Sequence, residues 1–240
     1  RRDFPNVDGV VAFTHKTGCA VQPGEPLELL QRVFAGFARH PNIAGYVLIG
    51  LGCEVNQVQL LRERHALDQV ADGESVPMFI DIQNAGGVRK TVEASAVAVA
   101  KLLLEANALR RSRQPIGKLI LAQQCGGSDG NSGITANPAL GAASDELVRY
   151  GGTGVLAETP EIYGAEHLLT RRAVSPEVGE KLLSIVRWWE EHVRIHHATI
   201  DNNPTQGNKA GGLTTIYEKS LGAVAKGGHS PLAAVYRYAE

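Results

Sequence analysis

The fold is decided by the segment Ile43-Ala44-Gly45-Tyr46-Val47-Leu48-Ile49-Gly50-Leu51-Gly52-Cys53-Glu54. Its apolar run has the length of a buried strand, and the run ends in a glycine-rich turn that carries a cysteine. A stretch of helical period follows over about residues 56–71, and a second apolar run lies at residues 77–82. A strand, a helix and a strand in this order are typical of a βαβ unit with parallel strands.

The same alternation continues on both sides of this unit. Further strands are predicted at residues 7–13, 118–122 and 154–157, and helices at residues 27–39, 87–111, 160–172, 175–196 and 213–226, with another helix that has Pro138 near its first turn. We therefore predict an α/β fold with a mostly parallel sheet of about five strands, helices on both faces and a helix-rich C-terminal part. Since no repeat or low-complexity linker separates these segments, residues 1–240 are predicted to form a single α/β domain of catalytic type.

Composition excludes several classes of function. The 240 residues include 24 Lys and Arg against 25 Asp and Glu, so the chain lacks the basic charge typical of proteins that bind nucleic acid or anionic membranes. No stretch of 18 apolar residues is present, and an odd number of cysteines, three, indicates a reducing compartment rather than a disulfide framework. We expect a cytoplasmic protein with no nucleic-acid or membrane partner. Its start at Arg1, without an initiator methionine, suggests a piece of a longer enzyme whose N-terminal and C-terminal segments are missing.

The three cysteines have a common placement. Cys19, Cys53 and Cys125 each follow a predicted strand and lie in a turn that contains glycine. Because the ends of the strands in an open parallel sheet meet at one edge, where ligands bind, all three thiols are predicted at the same edge. Cysteine is often a buried packing residue, and that is the alternative interpretation. Its repeated occurrence at strand ends favours a site with chemistry.

A metal site is the chemistry that these thiols suit best. The cysteines are 34 and 72 residues apart, which excludes the close pairs of a zinc ribbon or a ferredoxin. Thiolates are soft ligands that select iron, zinc or an iron–sulfur cluster. Three protein ligands leave one position open for water or substrate, as a catalytic metal requires. His15, four residues before Cys19, is a candidate further ligand or proton carrier.

Polar side chains in three other places are candidates for binding and proton transfer. Glu158 follows the last predicted strand and is a candidate acid or base, or alternatively a capping or surface residue. The loop that contains Ser128 and Asp129 is rich in glycine, which would let the backbone approach a polyhydroxylated ligand. Residues 203–220 are rich in amides, glycines and lysines. They lack the nucleotide P-loop pattern and are interpreted as an anion pocket near Lys209, or alternatively as a solvated loop.

Taken together, the motifs in these places resemble the altronate and galactarate dehydratase family. The resemblance spans nearly the whole chain in the expected order, and it is specific as a set although each motif alone is weak. It rests on Phe4-Pro5-Asn6-Val7-Asp8-Gly9-Val10-Val11, Thr14-His15-Lys16-Thr17-Gly18-Cys19, Gly50-Leu51-Gly52-Cys53-Glu54, Cys125-Gly126-Gly127-Ser128-Asp129, Ser132-Gly133-Ile134 with Asn137-Pro138-Ala139, and the run from Asn203-Pro204 to Glu218-Lys219-Ser220-Leu221-Gly222.

The resemblance implies an iron-dependent dehydratase that removes water from a sugar acid such as altronate or galactarate and gives a 2-keto-3-deoxy acid. We expect Fe²⁺, or an iron–sulfur cluster with one open iron, with Mn²⁺ as an alternative metal. The expected metal ligands are Cys19, Cys53 and Cys125. The expected catalytic residues are His15, Glu158 and Lys209, with His15 or Glu158 as the base, and the expected substrate-binding residues are Ser128, Asp129, Asn208 and Lys219.

Other functions stay open from the sequence. A sister branch of the resembled family removes sulfite from sulfolactate, so a C–S lyase is one alternative. A non-catalytic domain that binds a sugar acid is another, and a thiol-dependent hydrolase with one cysteine as nucleophile and His15 as base is a third. The expected partners are a small sugar-acid substrate, the missing segments of the same enzyme and further copies of the chain in a homo-oligomer.

Overall fold

The computed structural model describes residues 3–69 and 76–238. Their contacts divide the chain into two compact units. The first unit contains the described residues up to Ser112, together with Tyr238, and the second contains Arg113–Arg237. That the two units act as one catalytic domain stays a prediction.

The first unit contains the βαβ arrangement expected from the opening segment. Its elements are α1 (Glu25–Ala38), β1 (Val47–Gly50), α2 (Val58–Arg64), β2 (Met78–Asp81) and α3 (Val88–Ala108). Strands β1 and β2 are parallel, with Leu48 opposite Phe79. Helix α2 ends at Arg64, earlier than predicted, and the last two residues of the predicted helix, 70 and 71, lie outside the described residues.

The core of the first unit forms between α1, α2 and the strands. Its buried centre is Ala35, Leu61 and Leu67, with Tyr46 and Phe79 packed against it. The Tyr46 hydroxyl donates a 2.6 Å hydrogen bond to the Leu67 carbonyl oxygen, so its polar end is satisfied where the ring is partly buried. This packing places the turn after β1 at the surface.

The second unit contains a second βαβ arrangement followed by helices. Its elements are β3 (Ile120–Gln123), α4 (Gly130–Ile134), α5 (Ala136–Arg149), β4 (Thr153–Leu156), α6 (His167–Thr170), α7 (Pro176–Ile195), α8 (Gln206–Ala210) and α9 (Ile216–Lys226), with 3₁₀ turns at Ile116–Lys118, Pro160–Ile162 and Ile200–Asn202. Strands β3 and β4 are parallel, with Ala122 opposite Val155. Helix α7 begins as the sequence predicts, since the Ser175 side chain caps its N-terminus and Pro176 is its first residue.

Helices α5 and α9 approach each other closely. A Cβ atom added to Gly141 of α5 would lie 2.1 Å from the carbonyl oxygen of Ala225 in α9, so only glycine fits there. On another side, α9 contributes Ala223 and Val224 to a buried core with residues of α6 and α7. Helix α9 is therefore held from two sides.

The segment after α9 is fastened to α5 by the Asp145 carboxylate. This group accepts hydrogen bonds from the backbone N–H groups of His229 and Ser230, at 2.7 and 3.0 Å, and from the Ser230 hydroxyl at 2.9 Å. His229 Nδ1 lies 3.0 Å from its other oxygen. Burial alone would raise the pKa of Asp145, but these hydrogen bonds outweigh burial and lower its pKa to about 2. The end of α9 is thereby anchored.

The prediction of a five-stranded sheet is wrong. The described residues contain four strands, in two separate parallel pairs, and residues 7–13 form no strand. That segment has the apolar length of a strand, but it pairs with no neighbour and its Val10 and Val11 side chains are more than 60% exposed. A short apolar run does not specify a partner, and Asp8 and Gly9 interrupt its alternation.

Some helical predictions also need correction. The predicted helix over residues 160–172 is divided into a 3₁₀ turn and α6, because Gly164 between them has φ +85°. Helices α4 and α8 fall in stretches that the sequence suggested were loops. Among the described residues, no helix is both long enough and apolar enough to cross a bilayer.

Candidate functional site

A small polar cavity lies in the second unit, between the segment after β3 and helix α9. Its enclosed volume is about 10 Å³, and the space that includes its open mouth is about 250 Å³. Four of its lining residues are ones that the sequence singled out: Ser128, Asp129, Glu158 and Lys219. These residues come from places up to 91 positions apart in the chain, and the fold brings them together.

Two hydrogen bonds hold one wall of the cavity. The Asn208 side-chain amide donates a 2.8 Å hydrogen bond to the Ser128 carbonyl oxygen, and the Gly130 N–H donates one of 2.9 Å to the Gly211 carbonyl oxygen. Both bonds join the loop after β3 to α8 and its C-terminal end. In this structure Asn208, which the sequence predicts to bind substrate, positions the Ser128 loop.

Two carboxylates at the cavity are engaged in helix capping. Asp129 accepts a 2.6 Å hydrogen bond from the Ser132 N–H and caps α4. Glu218 accepts hydrogen bonds from the Thr214 N–H and hydroxyl at 2.7 and 2.8 Å, and these lower the pKa of Glu218. Both carboxylates keep lone pairs that can accept hydrogen bonds from ligand hydroxyls.

Lys219 brings a positive charge to the cavity without a matching carboxylate. Only 8% of the residue is exposed, and its ammonium donates a 2.6 Å hydrogen bond to the Asn203 side-chain oxygen. Among the described residues no carboxylate lies within ion-pair distance of this ammonium. A buried charge with only a neutral partner is costly, so an anion bound in the cavity would be strongly favoured.

Glu158 is paired in the cavity with a residue that the sequence did not single out. The Lys226 ammonium donates to both carboxylate oxygens of Glu158, at 2.7 and 2.6 Å, and the two side chains are 5% and 2% exposed. Lys226 is the last residue of α9, and a lysine there is typical of a helix C-terminus. The sequence alone therefore did not indicate that Lys226 lines the cavity.

Two predicted catalytic residues lie elsewhere. His15 belongs to the first unit, where its side chain is exposed, its Nδ1 lies 2.6 Å from the Thr17 hydroxyl and its ring meets Phe34 edge-on. Lys209 is exposed on α8 and lies outside the cavity lining. Of the predicted catalytic residues, the structure thus places Glu158 in the cavity.

The three cysteines are free thiols in both units. Cys19 and Cys53 are exposed in the first unit, and their loops are adjacent because the Val55 N–H donates a 2.8 Å hydrogen bond to the Cys19 carbonyl oxygen. Cys125 is half-buried in the second unit, two residues after β3. The prediction that all three follow strands of one sheet is wrong, because Cys53 and Cys125 follow strands of different sheets and, from residue 3 onward, no strand precedes Cys19.

The chemistry of these donors suits iron, although the described residues contain no group of three or more His, Cys, Asp or Glu side chains that could hold a metal ion. Gln123, at the end of β3, is 2% exposed, and both polar atoms of its side chain lack a hydrogen-bond partner in the described part of the chain. An unsatisfied buried amide two residues before Cys125 is a place where a further group would be stabilised. The iron site stays a prediction.

Comparison with known proteins identifies the family. Residues 1–107 match the D-galactarate dehydratase/altronate hydrolase second domain, and residues 116–240 match the D-galactarate/altronate dehydratase C-terminal domain. The boundary between the two compact units, at Ser112 and Arg113, falls in the short gap between the two matches.

Individual relatives agree with this result. The altronate dehydratases of Bacillus subtilis (strain 168) and Escherichia coli (strain K12) are 37% and 40% identical over 99% and 97% of this chain. The galactarate dehydratase (L-threo-forming) of Escherichia coli (strain K12) is 38% identical over 85% of it and is covered over 39% of its own length. The two altronate dehydratases are each covered over 46%, so the chain spans about half the length of the curated relatives it matches. The chain belongs to the D-galactarate/altronate dehydratase family.

Proposed function

We propose that this chain is the part of a sugar-acid dehydratase that binds the substrate and removes water from it. The substrate would be a polyhydroxy acid of the altronate or galactarate kind, and the product a 2-keto-3-deoxy acid. The names of the relatives support this reaction class, and the polar cavity of the second unit supplies suitable groups for it.

The observation that carries the proposal is the buried ammonium of Lys219. Its recorded partner is the neutral side chain of Asn203, and it lines a cavity that also offers hydroxyl and carboxylate groups. A substrate carboxylate would supply the missing negative charge, while the substrate hydroxyls would donate to the cavity carboxylates. We therefore assign the carboxylate-binding role to Lys219 rather than to Lys209, which is exposed on α8.

Dehydration of such an acid begins with a weakly acidic proton on C2, the carbon next to the carboxylate. Binding of that carboxylate by Lys219 would stabilise the negative charge that develops as the proton leaves. Glu158 lines the same cavity and is the base of this proposal; His15 belongs to the first unit. Loss of the hydroxyl from C3 then gives an enol, which becomes the 2-keto acid.

Iron belongs to the proposal as well. Cys19, Cys53 and Cys125 are free thiols, and thiolates are ligands that iron prefers. Bound iron would supply a Lewis acid for substrate oxygens. The role of this chain is then to supply the thiolates, the carboxylate anchor and the base.

The test is a dehydration assay of the full-length protein with a panel of aldonic and aldaric acids, comparing wild type with Lys219→Met. Loss of one charge-assisted hydrogen bond costs about 1.5–3 kcal/mol, which corresponds to a rise in KM of about 10- to 150-fold. Lys118→Met is the matched control, because Lys118 is an exposed lysine of the same unit, and its KM should be unchanged.

Two results would contradict the proposal. One is the absence of 2-keto-3-deoxy product from every acid in the panel with wild-type protein loaded with iron. The other is an unchanged KM in a folded Lys219→Met variant, which would remove Lys219 as the carboxylate anchor.

A further inference from the structure

The Glu158–Lys226 pair is unusual as a purely structural contact. Both side chains are almost fully buried, yet both line a polar cavity. Buried ion pairs contribute little net stability compared with apolar residues of the same size, because removing two charges from water is costly. A pair retained beside a cavity that holds another buried lysine therefore calls for a chemical explanation.

Helix α9 carries both the proposed carboxylate anchor, Lys219, and the lysine of this pair. Lys219 and Lys226 are seven residues apart, so they lie on the same side of the helix, about 10.5 Å apart along its axis. Between them Gly222 and Ala223 also line the cavity, and a Cβ atom added to Gly222 would lie 2.9 Å from the Asn137 side-chain nitrogen.

Lys219, Glu158 and Lys226 line the same cavity. In the proposed function the substrate carboxylate binds at Lys219, and C2 and C3 would then be directed toward the pair formed by Glu158 and Lys226. Those two carbons are the ones that change in a dehydration. The groups nearest to them would be a carboxylate, which can accept a proton, and an ammonium, which can donate one.

We infer that Lys226 is a catalytic acid that acts together with Glu158, an inference that rests on the proposed function. Glu158 takes the proton from C2 and leaves an enediolate, whose electron pair forms the double bond between C2 and C3 when the C3 hydroxyl departs. The C3–O bond breaks with its electrons on oxygen, and Lys226 protonates that oxygen, which leaves as water. No oxidant or reductant is required.

The direct contact between Glu158 and Lys226 also lets both side chains return to their charged forms after each turnover. After one turnover Glu158 is a neutral carboxylic acid and Lys226 a neutral amine. They are in hydrogen-bond contact at 2.6–2.7 Å, so the proton passes from Glu158 to Lys226 and regenerates the ion pair. The proton that leaves C2 thus replaces the one given to the water, and the balance closes within the pair.

The experiment separates the two proton transfers in the full-length, iron-loaded protein. Dehydration is measured as 2-keto-3-deoxy product, and proton removal as exchange of the C2 hydrogen for deuterium in D₂O. Glu158→Gln should lose both activities. Lys226→Arg keeps the positive charge beside Glu158, but a guanidinium does not give up its proton in proteins. We expect Lys226→Arg to retain exchange while dehydration falls about 10²- to 10⁴-fold.

Each outcome decides the inference. Wild-type dehydration by Lys226→Arg would overturn the inference. So would a Lys226→Arg protein that unfolds at the wild-type temperature but has lost both exchange and dehydration, since Lys226 would then act as a structural residue or as a base. If wild-type protein dehydrates no acid in the panel, the proposed function fails and the inference falls with it. If wild type is active and only the lysine variant behaves unexpectedly, the inference alone fails.

Discussion

The close approach of α5 and α9 predicts that replacing Gly141 by alanine lowers the free energy of unfolding. In Gly141→Ala the new Cβ would lie 2.1 Å from the Ala225 carbonyl oxygen, whereas ordinary contacts begin at 3.4 Å. One of the two helices would have to move by about 1 Å, and overpacking of this kind costs about 1–3 kcal/mol. Replacing a helical glycine by alanine gains about 1 kcal/mol from helix propensity, which opposes this cost.

We expect the packing cost to exceed the propensity gain, so that the free energy of unfolding falls by up to about 2 kcal/mol. Gly179→Ala in α7 is the matched control, because the nearest atoms to its new Cβ lie at 3.8–4.0 Å, an ordinary contact distance. That variant should gain up to about 1 kcal/mol.

Urea unfolding followed by tryptophan fluorescence measures both variants in the second unit, since Trp188 and Trp189 are the two tryptophans of the chain and both lie in α7. Because α9 carries Lys219 and Lys226, the shift should also lower dehydration activity. A Gly141→Ala protein as stable as wild type, with Gly179→Ala stabilised as expected, would refute the claim that α5 and α9 require glycine at this contact.

Three further predictions concern stability and metal content. The pKa of Asp145 is lowered to about 2 from 3.8, so its hydrogen bonds to His229 and Ser230 stabilise the fold fully above about pH 4 and less as the pH falls toward 2. Asp145→Asn should therefore be about 1–2 kcal/mol less stable than wild type at pH 7, allowing for its partial exposure, and a gap between their urea midpoints that does not narrow toward pH 2 would contradict this. Ser175→Ala removes the N-cap of α7 and should cost about 1 kcal/mol in the same urea assay, whereas an unchanged midpoint would mean that the cap adds nothing. Cys53→Ser should lower the iron content of anaerobically purified protein, as measured by elemental analysis, and full iron retention would remove Cys53 from the ligand set.

Local signals in the sequence were reliable where the interaction forms between residues a few positions apart. Ser175 and Pro176 begin α7 as predicted, because a cap and a proline at the first position act within a few residues. The five-stranded sheet failed for the opposite reason. Strand pairing depends on partners far away in the chain, and an apolar run such as residues 7–13 does not say which partner, if any, it has.

The candidate site follows the same rule. Ser128, Asp129 and Glu158 were predicted from residue type and local pattern, and Lys219 from the family resemblance. The structure gathers the four in one cavity. The sequence did not point to Lys226, because a lysine at the C-terminal end of a helix is already explained by its favourable interaction with the helix dipole. Its meaning comes only from Glu158, 68 residues earlier in the chain.

The hydrogen bond between Asn208 and Ser128 has a consequence for how the site assembles during folding. It closes a span of 80 residues, so the cavity depends on contacts with a large loop-closure entropy. During synthesis, the Ser128 loop leaves the ribosome long before α8 and α9 exist to cover it. The cavity is therefore one of the last parts of the second unit to form, because it requires both the Ser128 loop and α9.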